Sequence, residues 1–200
     1  MTRPESPSRT RPEATPGTTP RTRRAILDAA ITVYAQDRAA SLREIAEAAE
    51  VSRSTLHRYF ADRSALVDAL ADDAMLATRQ ALVDAALDED TPAEAFRRLV
   101  RTFFDLGPRM DFLFGETQLP DDKWQEGEWE AAHAPVGALF LRGQEAGVFD
   151  RGIDADWFVR TIWYLTSAGW EAVGEGIMSK HQAAERVIRT LERGLLAPDA

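Results

Sequence analysis

Residues 41–60 read SLREIAEAAEVSRSTLHRYF, and the order of polar and apolar positions in this stretch decides the fold. Ser41-Leu-Arg-Glu44 has the spacing of a capping box, in which the serine oxygen accepts from a free backbone N–H and the glutamate reaches back to the start of the helix. The helix it opens packs on Leu42, Ile45, Ala46 and Ala49. Ser52 then caps a further helix carrying Leu56 and Tyr59. Two helices of roughly seven or eight residues, joined by about three residues around Glu50, must cross steeply, and the small Ala46, Ala48 and Ala49 let them approach closely. That is helix-turn-helix geometry. The apolar positions fix the pair against a preceding helix and leave Arg53, Ser54, Thr55, His57, Arg58 and Tyr59 with no evident core role for most of them. A short, donor-rich face without a carboxylate has what is needed to enter a major groove about 12 Å wide and hydrogen-bond bases and phosphates.

The punctuation on both sides is helical as well. Ile26, Ala30, Val33 and Tyr34 predict an amphipathic helix over 22–36. Asp62 caps a helix that begins at Arg63 and runs into the mid 80s, linking the two halves of the chain. Thr91-Pro92-Ala-Glu94 combines a cap, proline at the first helical position and glutamate at the third, ahead of a buried stripe of Phe96, Leu99, Val100 and Phe103. A shorter helix around 110–117 leads into a loop over 119–127, and 129–146 is read as a helix interrupted or bent near Pro135. Asp154 opens a helix to about Gly174, and Ser179-Lys-His-Gln182 opens the last, ending near Leu196. No segment alternates apolar and polar residues as a strand does. The expected fold is all-α, about nine helices, with a Pro- and Arg-rich arm over 1–20, a helix-turn-helix domain over 21–66 and a separate helical body over 67–200.

Composition narrows the functional classes. An apolar share of 44% in 200 residues excludes wholesale disorder, and the lack of cysteine excludes a disulfide framework or a thiolate metal site. With no apolar run long enough for a membrane span and no signal peptide, a cytoplasmic protein is expected. The net charge of −9 is unevenly placed: residues 1–63 carry +3, from eleven arginines against eight acidic residues, and the remainder −12. A basic front on an acidic body suits a modular nucleic-acid binder. Arg3, Arg9, Arg11, Arg21, Arg23 and Arg24 would let this segment hold phosphate or enter a minor groove as a flexible arm, the alternative being a disordered leader without function.

From Arg24 to about Leu70 the chain resembles the DNA-binding domain of the tetracycline-repressor (TetR) family of bacterial transcriptional regulators. The likeness rests on Ile26-Leu-Asp-Ala-Ala30, Ser41-Leu-Arg-Glu-Ile-Ala46 and Val51-Ser-Arg-Ser-Thr-Leu-His-Arg-Tyr-Phe60, followed by Asp62-Arg63 and Leu66. It implies Ser52 as cap of the recognition helix, Ser54 and Thr55 as its leading polar contacts, Arg53 and Arg58 for base or phosphate, and Arg43 and Arg63 on the DNA backbone. Two positions depart from the family pattern. Glu50 stands where glycine is usual, so a positive φ there costs about 1 kcal/mol or more. His57 replaces a frequent tyrosine and donates to phosphate more strongly when protonated, so binding is expected to weaken as pH rises.

The acidic body resembles the family only in length and helix placement, which implies small-molecule binding among its middle helices and dimerisation through its last two. The helix from Asp154 is apolar on nearly every side, so Phe158, Ile162, Leu165 and Gly169, with Val187, Ile188, Leu191 and Leu195 of the last helix, are expected to form a two-fold four-helix interface. Gly169 and Gly174 would permit close crossing. A homodimer also presents two recognition helices to a pseudo-palindromic double-stranded DNA site. Aromatic residues crowd this half, and Phe103, Phe112, Trp129, Trp163 and Trp170, with His133 and a carboxylate at Asp111 or Glu116, would suit a flat, lipophilic, cationic effector that relieves repression by shifting populations. Two other readings stay open: a DNA-binding dimer governed by a protein partner or by nothing, and an α-helical metalloenzyme built on Glu130-Ala-Ala-His133. Di-iron sites need two copies of that motif and the chain has one; no nucleophile elbow, P-loop or dinucleotide fingerprint is present, so no enzymatic role, metal or cofactor is expected.

Overall fold

The computed structural model describes residues 18–115 and 127–197, which form α1 (Thr18–Gln36), α2 (Leu42–Ala48), α3 (Arg53–Tyr59), α4 (Arg63–Asp84), α5 (Pro92–Leu106), α6 (Pro108–Gly115), α7 (Glu128–Glu145), α8 (Ala155–Gly174) and α9 (Lys180–Leu195). Each start that the sequence marks with a cap carries that cap. Ser41, Ser52, Asp62, Thr91, Asp154 and Ser179 all accept from the third backbone N–H of their helix, and Ser41, Thr91 and Ser179 close reciprocal boxes. Such caps contribute about 1 kcal/mol each, enough to fix where short helices begin. α1 starts one turn earlier than its apolar stripe predicts. α7 runs uninterrupted through Pro135, so the break expected there does not occur. The expected loop over 119–127 and the arm up to residue 17 lie outside the described residues, Gly127 excepted.

The helices bury two clusters. One gathers Ile26, Leu27, Ala30, Ile31 and Tyr34 of α1 with Ile45, Ala46, Leu56, Leu66, Val67 and Leu70, so α1 to α3 and the start of α4 share a core. The other joins α5, α7, α8 and α9 around Phe96, Phe140, Phe149 and Phe158, whose ring centroids lie 4.9 to 6.4 Å apart. Gly143 makes this cluster possible: a Cβ there would stand 2.1 Å from the Phe149 ring. α4 reaches both cores, with Leu66 and Leu70 in the first and Leu82 in the second.

Two arginines fasten the far end of α4. Arg98 donates to the carbonyls of Ala85, Ala86 and Glu89 and pairs with Asp90, while Arg142 donates to the carbonyls of Leu87, Asp88 and Asp90. They saturate the helix-end and loop carbonyls that lack helical partners.

The expected dimer stripe is corrected by this packing. Phe158, Ile162 and Gly169 of α8 and Val187, Ile188, Leu191 and Leu195 of α9 are already buried by their own chain, and Leu165 is half-buried against the same core. A residue with no exposed surface has none to give to a partner. Gly169 brings α8 close to Phe104 and Val187 within the chain, whereas a Cβ at Gly174 would meet nothing within 4 Å. The α8 surface left open carries Trp157 and Tyr164, 57% and 65% exposed, together with Arg160, Ala168 and Glu171.

Candidate nucleic-acid interface

The turn between α2 and α3 is a Schellman motif: Glu50 N–H donates to the Glu47 carbonyl at 3.1 Å and Val51 N–H to the Ala46 carbonyl at 2.9 Å. The motif forces its penultimate residue into the left-handed region, and Glu50 has φ 54°. A non-glycine side chain therefore occupies the strained position that the sequence pointed to.

α3 begins at Ser52, whose Oγ accepts from Thr55 N–H at 3.1 Å and lies 3.0 Å and 2.8 Å from the Ser54 and Thr55 hydroxyls. The three hydroxyls thus form one cluster over the helix start. Leu56 is buried and anchors the helix, while Arg53, Ser54, His57 and Arg58 are exposed and Thr55 and Tyr59 half-buried. The Arg58 guanidinium lies over the Tyr59 ring at 5.4 Å. His57 Nδ1 is 3.1 Å from the Ala61 carbonyl, which can only accept, so Nδ1 bears the proton and Nε2 of a neutral ring is an acceptor. Donation from Nε2 to a phosphate oxygen therefore requires the doubly protonated ring. Arg43 on α2 is exposed and 3.7 Å from Glu47. A cleft of 390 Å3 lined by Ser41, Leu42, Arg43, Arg53, Leu56 and His57 runs between α2 and α3.

Arg63 is placed differently from expectation. It donates to the carbonyls of Ala40 and Arg38 and lies over the Tyr34 ring at 4.6 Å. Those contacts tie the start of α4 to the α1–α2 connection, so its donors hold the domain together rather than facing a phosphate.

The residues expected around a ligand do not all meet. Phe103 is in the body core, Trp163 packs against it, and Trp170 stacks on Phe104 at 5.9 Å with Nε1 buried and unpartnered among the described residues. His133 is half-buried on α7. Phe112 is in the other core, stacked on Tyr34 at 6.1 Å. Glu116 and the Trp129 side chain lie outside the described residues. An open groove of 640 Å3 instead lies between α4 and α7, lined by Arg79, Val83, Gly127, Glu128, Ala131, Ala132 and Pro135, with Arg79 and Glu128 3.6 Å apart. Sequence reading missed this groove because its walls come from residues about fifty positions apart with no local pattern between them.

This architecture is that of a helix-turn-helix regulator with a separate helical body. Residues 26–70 match the model of bacterial regulatory proteins of the tetR family. Over 193 residues, 94% of this chain and 97% of the relative, the chain is 35% identical to the HTH-type transcriptional repressor LfrR of Mycolicibacterium smegmatis. It is 31% identical over 162 residues to the HTH-type transcriptional regulator NfxB of Pseudomonas aeruginosa, covering 80% and 86% of the two chains. The crystal structure of the TetR-like regulator LfrR from Mycobacterium smegmatis in complex with proflavine aligns with a TM-score of 0.71 at 34% identity, over 88% of this chain and 96% of that one. The chain belongs to the TetR family. It is a helix-turn-helix transcriptional regulator, and no described helix is long and apolar enough to cross a membrane.

Proposed function

We propose that the chain is a dimeric cytoplasmic repressor that reads a pseudo-palindromic duplex through α3 and is released by a flat, cationic, lipophilic effector. Residues 21–66 serve as the DNA-binding unit and 67–200 as the ligand-binding and dimerisation unit. The observation that carries the reading is the α3 surface: Arg53, Ser54, His57 and Arg58 are exposed beside Arg43, with no carboxylate on the helix itself. In B-DNA this set hydrogen-bonds base edges and phosphates, with Arg53 and Arg58 suited to guanine or phosphate and Ser52, Ser54, Thr55 and Tyr59 to shorter polar contacts. Arg43 flanks the helix and meets the backbone.

The effector class rests on chemistry at the α4–α7 groove. Val83, Ala131, Ala132 and Pro135 give it an apolar lining, and Glu128 supplies a carboxylate, paired at 3.6 Å with Arg79, for which a cationic ligand would compete. Pro135 has no N–H to offer the Ala131 carbonyl four residues earlier, so the helix wall keeps an acceptor. A planar cation with N–H groups matches both features. LfrR, 34% identical to this chain, has been crystallised with the planar dye proflavine. Dimerisation uses the open α8 face at Trp157 and Tyr164, where two copies would bury aromatic area and bring the basic outer edge of α9 at Arg186, Arg189 and Arg193 towards Glu171 and Glu175.

Selection of duplexes from a random pool at stated salt tests the first part. A recovered inverted repeat is expected; retention of all sequences alike would reduce binding to non-specific phosphate attraction and remove the reading. Titration of proflavine against the selected duplex tests the second: dye bound without loss of DNA affinity would reject the release mechanism.

A further inference from the structure

Between the two cores lies a closed ring of charges that belongs neither to the α3 surface nor to the groove. Arg24 of α1 donates to Asp28 at 3.0 and 2.6 Å and to Asp73 of α4 at 2.6 Å. Arg109 of α6 donates to the same two carboxylates, at 2.7 Å to Asp28 and 3.3 Å to Asp73. Each guanidinium bridges both aspartates, and two cations balance two anions. Burial opposes the charge on Arg24, but hydrogen bonds and the fields of Asp28 and Asp73 outweigh it and raise its pKa above the usual arginine value. The Asp73 side chain is 18% exposed and leans on both partners.

The origin of Arg109 gives the ring its meaning. It follows two residues after Gly107, where the chain passes from α5 into α6 with φ 53° and ψ −124°, a conformation readily taken only by glycine. A Cβ at Gly107 would stand 2.7 Å from the Trp170 indole, so this joint rests directly on α8. From the joint, α6 sends Met110 into the body core, where its sulfur accepts from Thr78 Oγ1 at 3.3 Å. Asp111 and Phe112 go the opposite way. Arg38 donates to the Asp111 carboxylate at 2.8 Å and carbonyl at 2.9 Å, and Phe112 stacks on Tyr34.

We propose that Arg109 is a positioning residue for DNA binding: carried by a body helix, it neutralises Asp28 of α1 and Asp73 of α4, the two helices that hold the DNA-binding unit, and its withdrawal with α6 leaves them an unbalanced negative charge. One remaining guanidinium, Arg24, cannot compensate both Asp28 and Asp73. The excess negative charge is then shared between Asp73 of α4 and Asp28 of α1, the helix that also bears the exposed Arg21 and Arg23, and opposes phosphate through an interaction that salt screens. The ring thereby converts a movement of α6 about Gly107 into a change of charge as well as of position. This inference rests on the DNA-binding reading above.

The test uses the full chain with Arg109→Ala, Asp28→Asn and both together, measured against the duplex recovered by selection at low and at physiological ionic strength. Arg109→Ala is expected to weaken binding by about twofold at low salt, with the deficit narrowing as salt rises. Adding Asp28→Asn should restore the affinity of the native chain, because it removes the uncompensated anion. A purely structural arginine would give the opposite, two losses compounded. Full affinity in Arg109→Ala, or no recovery in the double variant, overturns the proposal. Should Arg109→Ala fail to fold, Arg109→Gln removes the charge while keeping a long polar side chain and is expected to show the same salt-dependent loss, whereas Arg109→Lys keeps the charge and is expected to bind close to the native chain; equal losses in the glutamine and lysine variants would overturn the proposal as well. Amide hydrogen exchange supplies a readout without DNA: Arg109→Ala or Arg109→Lys should raise exchange in α6, and unchanged exchange counts against the ring. A native chain that selects no duplex would sink the DNA-binding reading, while the exchange result still decides whether Arg109 holds α6 to α1.

Discussion

Glu50 permits a sharp measurement on the α2–α3 turn. Its φ of 54° lies where an L-residue pays about 1–2 kcal/mol and glycine nothing comparable. Against this, glycine loses about 0.5–1 kcal/mol more backbone freedom than alanine on folding. Alanine keeps the Cβ that causes the strain, so the chain with Glu50→Gly should be more stable than the chain with Glu50→Ala by about 0.5–1 kcal/mol, reversing the order found at ordinary positions. For a chain of this size that is a difference in Tm of about 1–4 °C. Thermal unfolding followed by circular dichroism, with both variants at one protein concentration, reads it directly. Glu50→Gln isolates the charge: a carboxylate about 10 Å from a phosphate in water costs only about 0.4 kcal/mol before screening, so this variant should raise DNA affinity by less than about twofold at 0.15 M ionic strength. If the alanine variant is as stable as the glycine variant, the turn is not strained at Glu50 and the Schellman argument fails.

Gly143→Ala should destabilise the body by about 3 kcal/mol or more, since its methyl group must displace the buried Phe149 ring from the phenylalanine cluster, and a urea midpoint near the native one would contradict that packing. Glu44 accepts from the Ser41 side chain and then from its backbone N–H, which holds its pKa below the ordinary glutamate value. Its contribution to stability is accordingly complete above that ordinary value and is lost as pH falls through the lowered one. Glu44→Gln should therefore flatten the acid limb of a plot of urea midpoint against pH, and an unchanged limb would show that the capping box does not titrate. Replacing both Trp157 and Tyr164 by glutamate should yield a folded monomer by sedimentation that has lost most of its DNA affinity; a dimer persisting after both changes would place the interface elsewhere.

Helix starts were legible because a cap is a local event: Ser52 meets Thr55, and four residues of sequence contain the whole interaction. The face of α3 was legible for a related reason, since a seven-residue helix anchored by Leu56 leaves few choices about what points outward. Arg63 was not. The partners it satisfies, Ala40 and Arg38, are more than twenty residues away, and nothing in Asp62-Arg-Ser distinguishes an arginine bound to carbonyls from one open to solvent. The dimer face was misread because the most apolar stripe of a helix is the one its own core covers, whereas an interface between folded chains is mixed in character. On α8 the open side carries Trp157 and Tyr164 among charges, whereas Phe158 and Ile162 are covered by the chain's own core. Phe112 misled because α6 is short and neighbouring positions on it serve different cores, Met110 the body and Phe112 the other.

α4 has one further consequence. Its 22 residues make a rod about 33 Å long, pinned just past its end by Arg98 at Ala85 and Arg142 at Leu87, and carrying α3 beyond its opposite tip. Leverage follows from length alone. A tilt of about 5° around the pinned end sweeps the tip through about 3 Å, close to the rise of one base pair. Rearrangement in the body on the scale of a side-chain rotation is thereby magnified to the ruler by which a duplex is measured.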